Sequence, residues 1–542
     1  GTFVSNTKTP HIVGFHLGGL TDTPHGCLGY VTRDNVVSAM ELLSGIPGVC
    51  PTASLGDIPT VMYENHNGGT SFMTDRDIAP KCPTRFLRDD ASITVLGSCL
   101  GGVTNKSSVI ISHISKSVTQ YLGKDRTHGP APMGYPDVPS WHNWSLGMEG
   151  FSTPAVGPNP GEIIVAVNDY LHGLLCVDFS KIEPLSMDKV INGLDGDRFL
   201  NRMPQNTSVG FPISGKLAKY CHQLDPTQDH GVRFAVNDEV LAVYHEYIRL
   251  YEMGQRAYPI FRASLKDEPV KIGKLKVRVF QAAPLALKMV LRKYFLPLAA
   301  QLSMFPLSSE CAVGINAFSS EWGEMMEHIE VNGCDNIVAG DYSAYDQRMP
   351  ASLTGAAFDI LMELAARAKY KDKDLRIMRS VIADVIYPLL AYNGTLVMLH
   401  GGNPSGHNLT VYINSIVNSL ISRCAFRSIY PRTFFKDAVS MMTYGDDDIG
   451  SVNEKYDSYN NITKSEYINS IGMKYTPPSK SGEHMKYLSL CDVDFLKRHD
   501  FFNVDLGRRV GVLDESSVYK SLHTRMASTE VTDQEWAGSV ID

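Results

Sequence analysis

Residues 439–452 read VSMMTYGDDDIGSV and contain three consecutive aspartates between two short apolar segments. A Gly-Asp pair stands between two short apolar segments, and both residue types tolerate the backbone angles of a tight hairpin turn. Asp446 and Asp447 are therefore expected at the tip of a β-hairpin. Read by itself, the pattern fits an acidic surface turn as well as a catalytic one.

A second acidic segment precedes the hairpin in the chain. In DNIVAGDYSAYDQ, Asp341 ends an apolar run and Asp346 follows five residues later. If that run is a strand beside the hairpin, Asp341 joins Asp446 and Asp447 in one cluster. Such a cluster repels itself unless cations fill it, and oxygen ligands suit Mg²⁺ or Mn²⁺. Paired divalent ions activate a hydroxyl and stabilise a leaving pyrophosphate, which is what nucleotidyl transfer requires.

Between the two acidic segments lies HGGNPSGHNLTVYINSIVNS, a glycine-rich loop that leads into a helical pattern. Ser405 or Asn408 is expected to cap this helix. Thr410 and Asn414 are four residues apart and share one helix face. Recognition of a ribose 2′-OH needs buried polar partners, and Asp346 with Asn414 can supply them. The alternative is a capped core helix whose polar residues face their neighbours.

A basic segment, RASLKDEPVKIGKLKVR, covers residues 262–278. Lys274, Lys276 and Arg278 alternate, which predicts one face of a strand. A row of cations suits a triphosphate, whose oxygens accept from several donors at once. A solvated edge strand protected by charges is the competing interpretation.

Length and composition set wider limits. A chain of 542 residues is too long for one ordinary core, so about two to four domains are expected. A net charge of −8 argues against a protein whose whole surface binds nucleic acid, but it allows a local basic channel. No apolar run reaches the roughly 18 residues of a membrane span, and no secretory signal begins the chain, which predicts a soluble intracellular protein.

Helical and strand patterns alternate irregularly, which favours an α+β architecture over a doubly wound sheet. Helices are predicted at Val240–Tyr251, Ala286–Leu302, Leu353–Lys369 and Val411–Arg423, and strands at Val277–Ala282, Asn336–Gly340, Thr395–Leu399, Val439–Thr443 and Asp448–Ser451.

In this order the segments resemble the motifs of RNA-dependent RNA polymerases from picorna-like positive-strand RNA viruses, over roughly residues 90–542. TSVGFP at Thr207–Pro212, MKYTPPSK ending at Lys480, and FLKR at Phe495–Arg498 resemble three further motifs of that family. The resemblance implies a right-hand polymerase with fingers, a palm of antiparallel sheet and helices, and a partial helical thumb. The expected domains are fingers with part of the palm at 91–335, palm at 336–494 with a fingers insertion near 370–400, and primer-grip hairpin with partial thumb at 495–542.

The resemblance also implies residue roles. Catalytic roles fall on Asp341, Asp446, Asp447 and Lys480, the three aspartates being the ligands of Mg²⁺ (or Mn²⁺). Nucleotide-binding roles fall on Lys266, Lys276, Arg278, Asp346, Ser405, Thr410 and Asn414. RNA-binding roles fall on Ser208, Gly210, Pro212 and Lys497. Asp448, where related chains often carry an apolar residue, receives no role.

Both ends of the chain look cut. VGFHLGGLTDTPHGCLGYVTR resembles the last strands of the chymotrypsin-like cysteine protease that precedes the polymerase in these polyproteins, with His16 as a specificity-pocket residue. Residues 1–45 are therefore expected to be a protease fragment and residues 46–90 a linker, with a glycine-rich hairpin of the polymerase as the alternative. Only a short segment follows FLKR, so the thumb is expected to be incomplete.

The expected function is template-directed RNA synthesis for viral genome replication, from NTPs to an RNA 3′-hydroxyl or a protein primer. The expected partners are template and primer RNA, NTPs, a small genome-linked protein primer and other viral replication proteins. The expected location is the host cytoplasm, at membrane-associated replication complexes reached through partners. A reverse transcriptase and a catalytically impaired RNA-binding protease–polymerase precursor remain as alternatives, although Asp346 with Asn414 favours ribonucleotides.

Overall fold

Helices and strands alternate irregularly along the chain, and they form an α+β structure. The computed structural model describes residues 3–5, 12–19, 26–30, 93–99, 107–133, 147–148, 150–151, 155–211, 213, 215–224, 232–274, 277–392, 394–478 and 482–541. The helices of this part are Ser115–Leu122, Pro160–Gly173, Met187–Asn192, Asp238–Glu252, Leu285–Tyr294, Leu296–Met304, Pro306–Ser309, Ser320–Glu330, Tyr345–Arg348, Ala351–Arg367, Asp372–Ile386, Thr410–Ile429, Asn461–Ser470, Glu515–His523 and Asp533–Ile541. The strands are Phe3–Ser5, Ile12–Gly19, Gly26–Tyr30, Ile93–Ser98, Val109–Ile111, His128–Gly129, Cys221–Leu224, Arg233–Val236, Ile260–Leu265, Val270–Lys271, Val279–Ala282, Ile337–Tyr342, Leu389–Tyr392, Thr395–Leu399, Val439–Tyr444, Asp447–Val452, Tyr475–Thr476, Arg498–Asn503, Arg508–Leu513 and Thr524–Met526.

A four-stranded antiparallel sheet, called here the central sheet, contains both predicted acidic segments. Its strand order is Val439–Tyr444, Asp447–Val452, Ile337–Tyr342 and Tyr475–Thr476. The side chains of the first three strands are largely buried, because helices cover the sheet. The predicted hairpin and the strand beside it are therefore confirmed.

A five-stranded sheet gathers segments that are far apart in the chain. Its order is Val279–Ala282, Ile260–Leu265, Leu389–Tyr392, Thr395–Leu399 and Ile93–Ser98. The hairpin Leu389–Leu399 thus adds to strands that precede it by more than a hundred residues. A chain segment near residues 370–400 therefore belongs structurally with the N-terminal half of the described chain.

The helix predicted at Ala286–Leu302 is divided in two at Phe295. Pro297 lies in the first turn of the second helix, where its missing N–H is tolerated, but it cannot continue a preceding helix. The Lys293 carbonyl, four residues before the proline, accepts instead from the backbone N–H of Leu185 (3.0 Å). The prediction of one continuous helix was wrong because the periodicity of apolar residues continues across this break.

The predicted basic strand is also wrong. Val270–Lys271 forms a short strand, a turn follows with Gly273 at φ +82°, and the next strand begins only at Val279. Lys274 and Arg278 lie outside both strands, so they do not share one face of a strand.

Many residues of the main apolar core lie on three helices, Leu285–Tyr294, Ala351–Arg367 and Thr410–Ile429. Within it lies a buried ion cluster, in which the guanidinium of Arg423 contacts the carboxylates of Asp169 and Glu310. Charges this deep are tolerated only when each has partners, so the cluster ties three distant segments together.

Among the described residues, no helix is both long enough and apolar enough to cross a bilayer.

Candidate active site

The acidic hairpin turns through two residues, Gly445 and Asp446, because Tyr444 pairs directly with Asp447. Gly445 has φ +65°, and glycine at the first central position is the requirement of a type II′ turn. A Cβ atom at Gly445 would meet nothing within 4 Å, so backbone conformation rather than space demands the glycine. This turn holds Asp446 exposed at the tip, beside the half-buried Asp447.

Asp341 reaches the same place through the register of the central sheet. Gly340 lies opposite Asp448, so the next residue, Asp341, lies at the level of Asp447 on the neighbouring strand. On its other side Asp341 pairs with Thr476. The structure thus brings together the three aspartates that the sequence predicted as one cluster.

The electrostatics of the cluster follow from this proximity. Burial and the negative charges of Asp446 and Asp341 raise the pKa of Asp447 to about 6. Lys497 faces the same group: burial opposes its charge, but Asp494, Asp447 and Asp341 outweigh burial and raise its pKa. A cluster of carboxylates that penalises its own ionisation is a site in which a cation is favoured.

Lys497 reaches the cluster through an unusual turn. Leu496 and Lys497 both adopt left-handed backbone angles, with φ +57° and +58°. The flanking residues Phe495 and Arg498 close this turn by a pair of backbone hydrogen bonds of 3.0 Å. The ammonium of Lys497 donates to Asp494 (2.8 Å) while remaining largely exposed.

Asp448, to which the sequence assigned no role, points to the opposite face of its strand from Asp447, as alternation requires. It is buried and forms an ion pair with the fully buried Lys464 of helix Asn461–Ser470. The hydroxyl of Tyr475 donates to the same carboxylate (3.2 Å). Asp448 is therefore a structural partner behind the site, and only the tertiary structure reveals that its partner is Lys464, sixteen residues later.

Two side chains of helix Thr410–Ile429 form hydrogen bonds with the backbone of the hairpin turn. Ser415 Oγ accepts from the N–H of Gly445 (2.9 Å), and Asn418 Nδ2 donates to the carbonyls of Gly445 and Asp446 (3.2 and 3.1 Å). Ser415 and Asn418 are three residues apart and face the same side of the helix. Their role depends on tertiary contact with the turn, and the sequence analysis did not identify it.

The predicted pair Asp346 and Asn414 is present. Asn414 Nδ2 donates to Asp346 Oδ1 (2.5 Å), and Asn414 is 6% exposed. Burial and the charge of Asp446 raise the pKa of Asp346 to about 6, against the opposing effects of Asn414 and Arg278. The amide and the carboxylate therefore lie beside the acidic hairpin, as sugar recognition would require.

The predicted cap of helix Thr410–Ile429 is absent, and the nucleotide-binding residues predicted in the same loop, Ser405 and Thr410, bond within the protein. The helix begins after Leu409 without a side-chain cap, so neither Ser405 nor Asn408 caps it. Ser405 Oγ donates to Gln281 Oε1 (3.2 Å), and Thr410 Oγ1 donates to backbone carbonyls of its own loop. Both hydroxyls thus fix the loop in this structure.

The basic side chains Lys266 and Arg278 share one carboxylate. Arg278 donates two hydrogen bonds to Glu268 (2.5 and 2.6 Å), and Lys266 lies 3.4 Å from the same group. Glu268, followed by the more distant charges of Asp446 and Asp346, raises the pKa of Arg278. Arg278 therefore lies near Asp446 and Asp346, Lys266 lies near Asp346, and Glu268 holds both cations there.

Ser208 and Gly210 line a cavity of about 480 Å³ together with Arg262, Lys288 and Gly406. Lys288 Nζ donates to the Ser208 carbonyl (3.2 Å), and burial lowers the pKa of Lys288 to about 8. Gly210 has φ +81°, and a Cβ atom there would lie 2.6 Å from the backbone of Pro284. Lys288 was missed because a single lysine in an apolar helical pattern carries no motif.

Three predicted site residues lie outside the described part of the chain: Pro212, Lys276 and Lys480.

The donor set of the cluster fits a hard divalent cation, since carboxylate oxygens are the ligands that Mg²⁺ and Mn²⁺ prefer. Within the described residues, no three His, Cys, Asp or Glu side chains are already drawn together in a ligating geometry. The fit therefore rests on the chemistry of Asp341, Asp446 and Asp447 and on the raised pKa of Asp447, not on a preformed cage.

Comparison with known proteins assigns the chain to a family. The chain is 29% identical over 381 residues to the replicase polyprotein of Drosophila C virus, covering 66% of this chain and 21% of that protein. It is 28% identical over 534 residues to the genome polyprotein of Rice tungro spherical virus (strain Vt6), covering 90% of this chain and 14% of that protein. The chain thus spans about a fifth or less of the length of these relatives.

A Sicinivirus 3Dpol RNA-dependent RNA polymerase has a similar structure, with a TM-score of 0.64 at 18% identity, over 83% of this chain and 94% of that one. This similarity confirms the predicted right-hand polymerase fold. A family model described as viral RNA-dependent RNA polymerase matches residues 152–523, which is more than half of the chain. The chain therefore belongs to the family of viral RNA-dependent RNA polymerases.

Proposed function

We propose that this chain performs template-directed RNA synthesis for viral genome replication, joining NTPs to an RNA 3′-hydroxyl or a protein primer. The observation that carries the proposal is the meeting of Asp341, Asp446 and Asp447 beside the Asp346–Asn414 pair. Family membership supports the same reaction class.

Viral RNA-dependent RNA polymerases generally use divalent metal ions. Asp341, Asp446 and Asp447 would hold Mg²⁺ or Mn²⁺ here. When bound, such ions lower the pKa of the attacking hydroxyl and neutralise charge on the transferred phosphoryl group. The chain's own contribution is to hold the carboxylates at the end of a packed sheet, where Ser415 and Asn418 fix the turn.

Lys266 and Arg278 would bind the triphosphate of the incoming nucleotide. Both cations have Glu268 as their partner, and phosphate oxygens would compete with that carboxylate for the same donors. Lys276 is proposed to join them, and Lys480 is proposed as the general acid for the pyrophosphate, by analogy with the family motifs.

The cavity lined by Ser208 and Gly210 would receive template RNA through its backbone, with no sequence preference, and Pro212 is proposed as an RNA-binding residue by analogy with the family motif. Lys497 would contact the primer, because its ammonium lies beside the acidic cluster and remains exposed.

We assign fingers with part of the palm to 91–335, palm to 336–494 with a fingers insertion near 370–400, and primer-grip hairpin with partial thumb to 495–542. Strand Leu389–Tyr392 pairs with Ile260–Leu265, which supports counting the insertion with the fingers.

Residues 1–45 are proposed to be the end of a chymotrypsin-like protease, followed by a linker at 46–90. The antiparallel order of Phe3–Ser5, Ile12–Gly19 and Gly26–Tyr30 suits the last strands of a barrel. The proposed location is the host cytoplasm, at membrane-associated replication complexes, with other viral replication proteins and a genome-linked protein primer as partners.

Primer extension on an RNA template tests the function, with Mg²⁺ and either NTPs or dNTPs. Wild type is compared with Asp446→Ala and with Asp195→Ala, which removes an exposed carboxylate from the loop after helix Met187–Asn192. We expect extension with NTPs by wild type and Asp195→Ala, and none by Asp446→Ala.

Each alternative predicts a different result. Extension with dNTPs in place of NTPs would identify a reverse transcriptase. Salt-sensitive RNA binding without extension would identify an RNA-binding precursor fragment.

A further inference from the structure

Asn414 can assist ribose recognition only if its amide is turned the right way. Its Nδ2 must face the Asp346 carboxylate, because an ionised carboxylate accepts hydrogen bonds and cannot donate them. The two ends of an amide have nearly the same shape, so packing alone does not select this orientation. A hydrogen-bonded partner on the other end of the amide is needed to select it.

Asn403 provides that partner. Its Nδ2 donates to Asn414 Oδ1 (2.7 Å) and to the backbone carbonyl of Thr410 (3.2 Å). A carbonyl can only accept, so the atom of Asn403 that faces it must be Nδ2. The backbone N–H of Asn403 also donates to the carbonyl of Asp346 (2.7 Å), so this residue contacts both members of the proposed sugar-reading pair.

His407 fixes the other end of Asn403. The backbone N–H of Leu409 donates to His407 Nδ1 (3.2 Å), and an N–H can only donate, so Nδ1 carries no proton. The proton of the neutral ring is therefore on Nε2, which donates to Asn403 Oδ1 (2.8 Å). Burial lowers the pKa of His407 to about 3, which keeps the ring neutral.

We infer that His407 and Asn403 are positioning residues that set the amide orientation of Asn414 and thereby the selection of ribose over 2′-deoxyribose. His407, Asn403, Asn414 and Asp346 form a hydrogen-bonded series in that order. The direction of every hydrogen bond in this series is determined by backbone groups at Leu409 and Thr410. Asn403 is fully buried and His407 is 7% exposed, so water does not compete for these bonds. The inference rests on the proposed function, because it concerns the sugar of the incoming nucleotide.

Two substitutions change the hydrogen bonds of this series while the side chains keep a similar size. One reverses the hydrogen bond between residues 403 and 414, and the other removes the donor to Asn403. Asn403→Asp puts an acceptor where Nδ2 now donates, so Asn414 would turn its Nδ2 toward residue 403 and its oxygen toward Asp346. His407→Leu removes the donor to Asn403. In both variants we expect the ratio of kcat/KM for an NTP to that for the matching dNTP to fall roughly 2- to 10-fold, the value of one buried hydrogen bond.

Two controls separate positioning from general damage. His407→Gln keeps an N–H donor near Nε2 and should keep the wild-type ratio within about twofold. Ser303→Ala removes a different buried hydrogen bond on the same helix, the 3.1 Å contact with Tyr412, and should leave the ratio unchanged. The expected change is a loss for the NTP with the dNTP value retained.

Equilibrium binding of ATP and 2′-deoxy-ATP to each protein is measured beside extension. Wild-type ratios in Asn403→Asp and His407→Leu would overturn the inference, as would equal losses for both sugars, which indicate a structural role only. If wild type fails to extend a primer, the proposed function fails. Binding then decides this inference separately: ribose preference lost in the two variants supports it, and ribose preference retained or absent throughout refutes it.

Discussion

Replacing Arg423 by methionine should destabilise the protein by about 3 kcal/mol, the lower end of the range for breaking a buried ion pair. The guanidinium is fully buried and contacts Asp169 at 2.9 Å and Glu310 at 2.7 Å. Methionine fills a similar volume but leaves two buried carboxylates without their main partner. Arg427 (3.2 Å to Asp169) and Lys436 (3.8 Å to Glu310) remain, and their partial compensation places the expected value at the lower end.

The pKa of Glu310 gives an independent magnitude. Burial opposes ionisation of this carboxylate, but Arg423, Lys436 and the hydroxyl of Ser419 outweigh burial and lower the pKa from 4.5 to about 2. That difference corresponds to about 3 kcal/mol in favour of the charged carboxylate in the folded state. Because the folded pKa is the lower one, this stabilisation is present above about pH 4.5 and is lost as the pH falls toward 2.

The assay is urea unfolding at neutral pH, comparing wild type with Arg423→Met and with Arg249→Met. Arg249 pairs with Glu246 on the surface, and such exposed pairs contribute at most about 1 kcal/mol. A loss below about 1 kcal/mol for Arg423→Met would contradict this role of Arg423, because it would mean that the buried carboxylates find other partners. We also expect reduced RNA synthesis, since the Glu310 carbonyl accepts from the backbone and side chain of Thr443 in the acidic hairpin.

Three further outcomes are expected. The preference for NTPs over dNTPs should decline as the pH falls through about 6, because protonation of Asp346 removes an acceptor; kcat/KM for both substrates between pH 5 and 8 measures it, and a flat ratio would count against the role of this carboxylate. Lys464→Met should lower stability in urea by about 3–5 kcal/mol by stranding the buried Asp448, and Lys464→Met with Asp448→Leu should recover part of the loss; no recovery would contradict the pairing. Gly340→Ala should reduce thermal stability because its Cβ would lie 2.2 Å from a buried tyrosine ring, whereas Gly355→Ala, with an ordinary 3.6 Å contact inside a helix, should raise stability by about 1 kcal/mol; similar melting temperatures for both variants would refute the contrast.

Local patterns predicted much of the fold. The strand Thr395–Leu399 is observed with the predicted bounds, and the hairpin around Gly445 and Asp446 follows from the backbone angles that its turn residues accept. Two predicted elements were wrong because a single proline or glycine interrupted a pattern that otherwise continues along the chain. Pro297 divided a helix that apolar periodicity had predicted as continuous, and after the turn at Gly273 the described strand begins only at Val279, beyond Lys274 and Arg278.

The candidate site divides in the same way. Asp341, Asp346, Asp446, Asp447 and Asn414 were identified from their order in the chain, because catalytic carboxylates follow strand ends and tight turns that leave a local pattern. Tertiary structure alone revealed the residues that hold them, such as Ser415 and Asn418 beneath the turn.

Local sequence patterns were therefore enough to predict which carboxylates are presented at the site, since backbone preferences act over a few neighbouring residues. Tertiary structure decided which partner each buried polar group meets. Arg423 meets Asp169 across 254 positions in the chain and Glu310 across 113. No local pattern encodes such a pairing, because the cost of an unpaired buried charge or amide is settled only when distant segments pack together.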